Sequence, residues 1–342
     1  MKIGVLSGGG DAPGINAVIR AVVRKGIRNY GDEMVGIKDG WRGLVEGSFM
    51  KLNLETISGI LPRGGSILGT SRTNPFKREG GAQIVLDTVK DQAIDAVVVI
   101  GGDDTLGVAQ KMGELGLRCI GVPKTIDNDL GLTDYTFGFN TAVHIACEAI
   151  DRLHTTAESH HRVMILEVMG RNAGWIALEA GIAGGADIIL IPEMPFSIEE
   201  VCQQIMQRLD GGKSFSIVVV SEGAKPNGSK NIVYGTGSDE FGNPRLGGVG
   251  YYIGKEIERF TKIETRVVVL GHLQRGGSPT AFDRVLATKY GIAAIDLVHR
   301  SEFGKMVALK GKMIVSVPLK DVIGNPKTVD LDLYEITKVF SG

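Results

Sequence analysis

The chain has 342 residues, 43% of them hydrophobic and 23% charged, with a formal net charge of -1. That length accommodates two ordinary domains, and the near-neutral balance excludes a global field for nucleic acid, so any anion must meet local cations. No apolar run approaches about 18 residues and Met1 to Gly10 lacks a signal-peptide layout, so a cytoplasmic protein without nucleic-acid or membrane partners is expected.

Ile3 to Leu6 reads as a strand, followed by Ser7-Gly8-Gly9-Gly10-Asp11-Ala12-Pro13-Gly14 and a helix from Ile15 to about Arg28. A glycine-rich strand-to-helix turn lets backbone N–H groups cradle a phosphate, although a purely structural turn reads the same way. Its spacing is neither GxGxxG nor GxxxxGKS/T, which supports neither a dinucleotide fold nor a P-loop. Met34 to Ile37 is a second strand, and Trp41 to Glu46 a turn or short helix. Residues 62–81 are rich in Gly, Pro and Arg and read as a loop; Arg63, Arg72 and Arg78 are either phosphate ligands or solvated side chains. Gln83 to Asp91 is a helix.

Ala96 to Ile100 is a β-branched run suited to a buried strand. It delivers Gly101-Gly102-Asp103-Asp104-Thr105 to a helix in which Val108, Met112 and Leu115 recur at helical spacing. Ligands of open α/β sheets bind at such strand ends. Aspartates repel a phosphate unless a hard cation such as Mg2+ lies between, so the stretch is either a metal–phosphate site or a turn with a capping aspartate. Arg118 to Val122 is the next strand and runs into Pro123-Lys124-Thr125-Ile126-Asp127-Asn128-Asp129. This second carboxylate loop suits metal-assisted phosphoryl transfer with one aspartate as base; an Asx-turn loop with a surface lysine is the alternative.

Asn140 to about Thr156 is a core-facing helix, and its His144 and His154 read as packing or surface residues. Arg162 to Val168 is a strand ending in Met169-Gly170-Arg171-Asn172-Ala173-Gly174. Asp187 to Ile191 is a strand; Ser197 and Glu200 open a helix to Leu209 as a capping box. Ser216 to Val220 ends in Ser221-Glu222-Gly223. Residues 224–249 lack periodicity and read as an exposed loop or insertion. Tyr251 to Phe260 is a helix, Arg266 to Leu270 a strand leading to Gly271-His272-Leu273-Gln274-Arg275-Gly276-Gly277, and Ala281 to His299 a long helix. One β-like run, Lys312 to Pro318, and a polar end remain. Cys119, Cys147 and Cys202 are scattered in apolar or helical contexts and read as reduced thiols. The alternation of strands and helices gives an α/β protein with mostly parallel sheets.

The strand ends together hold more arginines and carboxylates than a core requires. They fit a phosphorylated, hydroxyl-rich substrate with a second polyphosphate and Mg2+; the arginines would bind phosphate bidentately and Glu222 would accept sugar hydroxyls. The stretches Gly8 to Asn16, Gly101-Gly102-Asp103, Thr125 to Asp129, Met169-Gly170-Arg171, Ser221-Glu222-Gly223 and Gly271 to Gly277, in this order, make the sequence resemble the 6-phosphofructokinase family over nearly its full length.

The resemblance implies a fold of two Rossmann-like three-layer α/β/α domains: residues 1–138 with about 274–305 for the phosphoryl donor and Mg2+, and residues 139–273 with about 306–342 for the sugar phosphate. It implies fructose 6-phosphate as substrate and transfer to its 1-hydroxyl. Asp127 would be the base, and Arg72 and Arg171 would face the transferring group. Thr125, Asp129, Met169, Gly170, Glu222, His272 and Arg275 would contact the sugar phosphate or the reacting phosphoryl group, Gly9 and Gly10 the donor, and Asp103 the Mg2+. Arg162 and Arg266 would reach a neighbouring subunit's site, which implies a homodimer or homotetramer. Where ATP-dependent bacterial members resemble Gly-Gly-Asp-Gly and Pro-Gly-Thr-Ile-Asp-Asn-Asp, this chain has Asp104 and Lys124. Asp104 fills the space of the ATP α-phosphate and repels it, and Lys124 brings an ammonium to the donor, so pyrophosphate is the implied donor in a reversible glycolytic step. An ATP-dependent enzyme and a non-catalytic sugar-phosphate sensor are the alternatives. The length of residues 224–249 puts nucleotide regulation in doubt, and Lys213 alone does not define an effector site.

Overall fold

The structure, a computed structural model, describes residues 1–228, 233–238 and 244–340. Its strands in chain order are β1 (Lys2–Ser7), β2 (Glu33–Ile37), β3 (Phe49–Leu52), β4 (Ala96–Gly101), β5 (Cys119–Thr125), β6 (Phe137–Gly138), β7 (Val163–Val168), β8 (Ile188–Leu190), β9 (Ser216–Ser221), β10 (Val233–Ser238), β11 (Pro244–Leu246), β12 (Thr265–Val269), β13 (Lys305–Lys310) and β14 (Met313–Pro318). Met1–Asn140 with Arg275–Pro326 form one compact unit, and the second gathers most of residues 141–274 and 327–340.

The first unit is a sheet in the order β14-β13-β5-β4-β1-β2-β3, with β6 added to β5. β1, β2, β4, β5 and β13 run parallel; β3 and β14 pair antiparallel at the edges. Buried on both faces, β4 is a continuous apolar run whose side chains alternate between two cores. Ala96, Val98 and Ile100 meet the helices Ile15–Lys25 and Ala281–His299. Val97 and Val99 meet Trp41, Val85, Leu106 and Met112 of three helices on the other face. Three layers result, each fully buried valine contributing about 1.5–3 kcal/mol.

The second unit has a parallel sheet, β12-β7-β9-β8. Helices Ile198–Asp210 and Val249–Thr261 pack on one face through Val201, Ile205, Ile253 and Ile257. Glu167, buried in β7, accepts the Gly248 and Gly250 N–H groups at 2.9 and 2.8 Å and so holds the start of the helix Val249–Thr261. Ser197 Oγ accepts the Glu200 N–H at 3.3 Å, capping Ile198–Asp210, and its hydroxyl donates to Glu199 Oε2 at 2.8 Å.

Several expectations change. The helix from Ile15 ends at Lys25 and widens into a π-type turn, Gly26–Tyr30. β3, β13 and the helix Leu331–Phe340 lie where no regular element is expected. The segment expected to be a loop contains β10 and β11, paired antiparallel, while residues 229–232 and 239–243 lie outside the described residues. Residues 306–326 belong to the first unit, not the second, because β13 pairs with β5 and β14 with β13. The unit boundary falls at Asn140, in the first turn of the helix Phe139–His160. Cys119, Cys147 and Cys202 are free thiols, and burial pushes Cys119 up to about 12. Among the described residues no helix is long and apolar enough to cross a membrane.

Candidate active site

Because β1, β4 and β5 are parallel neighbours, their carboxyl ends bring three loops to one edge of the first unit. The glycine turn after β1 is stitched down by its backbone. The Gly8 N–H donates to the Ile100 carbonyl at 3.0 Å, the Gly9 N–H to Ser71 at 2.9 Å, and Thr70 Oγ1 to the Gly9 carbonyl at 2.6 Å. Two buried cations meet this turn from distant parts of the chain. Lys124, 3% exposed, donates from Nζ to the Gly10 carbonyl. Arg275 donates from Nη1 to the Asp11 carbonyl at 3.1 Å. A Cβ on Gly10 would stand 2.6 Å from Arg275 Nη1, so only glycine lets the guanidinium this close. Arg275, expected among sugar-phosphate ligands, thus shares the glycine turn with Lys124, and the pair concentrates positive charge where polyphosphate is expected.

The residues around this turn are held by a loop that looks unstructured in sequence. Asn16 Nδ2 donates to the carbonyls of Arg63 and Gly64, and its Oδ1 accepts the Ile67 N–H at 2.9 Å. Ser71 Oγ donates to the Asp39 carbonyl at 2.6 Å. Arg72 follows directly and is exposed.

Asp103 and Asp104 form the first turn of the helix Asp103–Glu114, where carboxylates are stabilised by the helix dipole. Asp103 is exposed and Asp104 half-buried. Asp127, 4% exposed, has its Oδ1 buried without a hydrogen-bond partner among the described residues. An orphaned buried carboxylate oxygen is costly and points to a group that a bound ligand satisfies. Thr125 Oγ1 accepts the Asp127 N–H at 3.1 Å, so this hydroxyl already serves the loop. Asp129 is half-buried. No group of three acidic, His or Cys side chains able to hold a metal occurs among the described residues. Asp103 and Asp129, on the loops after the neighbouring strands β4 and β5, are carboxylate oxygen donors of the kind a hard cation takes.

In the second unit, β7, β9 and β12 deliver the other expected residues to the carboxyl edge of their sheet. The Arg171 N–H donates to Glu222 Oε1 at 3.1 Å, which joins the loops after β7 and β9. Arg171 has φ 51, a left-handed backbone that costs a non-glycine residue about 1–2 kcal/mol. A Cβ on Gly223 would lie 1.8 Å from the Arg171 carbonyl oxygen, so glycine is required where the loops touch. The Met169 N–H donates to Gln274 Oε1 at 3.3 Å, and Gln274 Nε2 returns to the Gly271 carbonyl at 3.1 Å, bringing the His272 loop alongside Met169 and Gly170. Gln274 is fully buried; its place inside a Gly/His/Arg motif is the only sequence signal for this role.

Arg162 and Arg266 do not join this edge. Arg162 precedes β7 and Arg266 is the second residue of β12, so both sit at the amino ends of parallel strands, on the opposite edge from Gly170 and Glu222. Both contact Glu264, Arg162 Nε at 2.7 Å from Oε2. Their charge pulls the exposed Glu264 carboxyl below its ordinary range, the Arg162 hydrogen bond foremost. His144 pairs with Glu148 on the surface and His154 meets the Gly184 carbonyl.

One half-buried carboxyl beyond the expected set has a raised pKa. Burial pushes Glu179, in the helix Trp175–Ala183, up to about 7, with Lys327 pulling the other way. The folded state therefore binds a proton more tightly than the unfolded chain, and stability falls as pH rises from about 4.5 through about 7. Glu179→Gln is expected to be more stable than the wild type by about 2 kcal/mol at pH 8 and equal to it near pH 4. Thermal unfolding at both pH values checks this, and an equal difference at both would remove Glu179 as the cause.

A parallel sheet that brings a cationic glycine turn and a buried carboxylate to the carboxyl ends of β1 and β5 suits an enzyme that handles phosphate. The chain belongs to the phosphofructokinase family: the family model described as "Phosphofructokinase" matches residues 2–298. The chain is 55% identical to the pyrophosphate--fructose 6-phosphate 1-phosphotransferase of Streptomyces coelicolor, with 100% of each chain covered. It is 50% identical to ATP-dependent 6-phosphofructokinase 3 of the same organism, covering 96% of each. Among solved structures it resembles phosphofructokinase from Saccharomyces cerevisiae, with a TM-score of 0.80 and 33% identity, covering 98% of this chain and 46% of the yeast chain.

Proposed function

We propose that this chain transfers a phosphoryl group from pyrophosphate to the 1-hydroxyl of fructose 6-phosphate, giving fructose 1,6-bisphosphate and phosphate in a reversible step. The observation that carries the reading is Lys124: a buried ammonium on the glycine turn, at the strand end next to Asp104. In this reading Asp127 accepts the proton of the attacking hydroxyl. Lys124, Arg275, Gly9 and Gly10 hold the pyrophosphate, and Arg72 and Arg171 balance charge on the transferring group. Thr125, Asp129, Met169, Gly170, Glu222 and His272 shape the sugar-phosphate site. Asp103, with Asp129 on the loop after the neighbouring strand β5, would hold Mg2+, which supplies neutralisation of the phosphate oxygens when bound.

The positions of Arg162 and Arg266, on the opposite sheet edge from Glu222, support the further reading that they complete a neighbouring subunit's site in a homodimer or homotetramer. The ATP-dependent relative at 50% identity favours a second reading, ATP as donor. Turnover with each donor at saturating fructose 6-phosphate and Mg2+ separates them. Pyrophosphate is expected to exceed ATP by at least about tenfold in kcat/KM, a difference of about 1.4 kcal/mol in transition-state binding. ATP turnover equal to or above that with pyrophosphate would overturn the donor assignment, and no turnover with either would leave a sugar-phosphate sensor.

A further inference from the structure

We infer that Thr136, with Asn128, is the positioning residue that aims the Asp127 carboxylate, an inference that rests on Asp127 being the base. The buried Oδ1 oxygen of Asp127 has no hydrogen-bond partner among the described residues, so no described side chain fixes that oxygen. Its direction comes from the backbone that carries it, and that backbone is clasped from one side. Thr136 Oγ1 donates to the Thr125 carbonyl at 2.7 Å, and the Thr136 N–H donates to Asn128 Oδ1 at 3.1 Å. The Asp127 N–H closes the loop onto Thr125 Oγ1. Both residues flanking Asp127 at 125 and 128 are therefore tied, directly or through Thr136, to one point.

That point is rigid. Thr136 is fully buried and immediately precedes β6, whose Phe137 and Gly138 pair in parallel with Lys124 and Thr125 of β5. Phe137 is itself fully buried in the core formed with the helices Ile15–Lys25 and Ala281–His299. Asn128 has φ 52, a left-handed conformation that asparagine tolerates better than most residues, and its side chain spends an acceptor on Thr136. The clasp thus converts the packing of Phe137 into the direction of a carboxylate ten residues away. A displacement of about 1 Å in a reacting group costs about 100-fold in rate, so the hydroxyl of Thr136 controls turnover without touching substrate.

The test uses the full-length enzyme with fructose 6-phosphate, pyrophosphate and Mg2+. Thr136→Val keeps shape and removes the hydroxyl; Thr136→Ser keeps the hydroxyl. Thr136→Val is expected to lower kcat about 10- to 100-fold with KM for both substrates within about threefold, and Thr136→Ser to stay within about threefold of the wild type. The double variant Thr136→Val/Asp127→Ser is expected to be no slower than Asp127→Ser alone, because aiming matters only while the base is present. Should Thr136→Val not fold, Asn128→Gly, which accepts the same backbone angle, carries the same expectation. A wild-type kcat in Thr136→Val, or a loss that multiplies undiminished in the double variant, overturns the inference while leaving the proposed reaction intact. A wild-type enzyme without turnover on either donor would instead overturn the reaction itself.

Discussion

Asp127→Ser is expected to lower kcat by about 10²–10⁴-fold with a modest change in sugar-phosphate affinity, the result of removing the proposed general base from an otherwise intact site. The reason is local. Asp127 is 4% exposed, and its Oδ1 is buried with no hydrogen-bond partner among the described residues. A carboxylate oxygen left unsatisfied destabilises the fold by about 1–3 kcal/mol, and its retention makes sense where a substrate hydroxyl completes it. The same substitution should therefore leave the thermal midpoint unchanged or raised, since serine removes the unsatisfied group and leaves the Thr136 clasp untouched. Steady-state kinetics and thermal unfolding of the one variant give both readouts. Near-normal kcat would show that another group takes the proton, and a large fall in stability would show that Asp127 is a structural residue.

The parts of the site that are contiguous in sequence were legible there. Each parallel strand ends in its own loop, so Gly8 to Asp11, Gly102 to Thr105 and Thr125 to Asp129 announce themselves as polar or glycine-rich stretches after apolar runs. What joins those stretches was not legible. Lys124 reaches Gly10 across 114 positions and Arg275 reaches Asp11 across 264, pairings that only the sheet order and the long helix Ala281–His299 create. The left-handed backbones of Asn128 and Arg171 leave no trace in composition, because neither is glycine. β3 escaped because Phe49–Leu52 is a short edge strand with no clean alternation, and β13 because its burial comes from pairing with β5 after a chain reversal at Gly304. Sequence pattern reports which groups stand at a strand end; the topology decides which strand ends are neighbours.

Asp104→Gly is expected to admit ATP, raising its kcat/KM about 100-fold while pyrophosphate turnover changes little. Asp104 sits half-buried in the first turn of the helix Asp103–Glu114, beside the end of β4, and a Cβ on Gly102 would already be 3.3 Å from the Lys124 carbonyl. A half-buried carboxylate at this strand end opposes a further negative phosphate; like-charge juxtaposition costs several kcal/mol, and about 3 kcal/mol corresponds to about 100-fold. The change also removes a favourable helix-dipole charge, so a stability loss of about 1 kcal/mol accompanies it. Lys124→Gly acts oppositely on pyrophosphate. It deletes the ammonium beside Gly10 and is expected to reduce pyrophosphate kcat/KM about 100- to 1,000-fold, as loss of a charge-stabilising group does. Because the lysine is buried in β5, its stem also leaves a cavity, and the midpoint of unfolding should fall by an amount that Asp104→Gly does not share. The double variant then separates space from charge: ATP turnover in it above that of Asp104→Gly alone would mean that Lys124 as well as Asp104 excludes the nucleotide. An Asp104→Gly enzyme that neither turns over ATP nor binds it in competition with pyrophosphate would refute the account, because opening the corner and removing its charge would then have left the discrimination where it was.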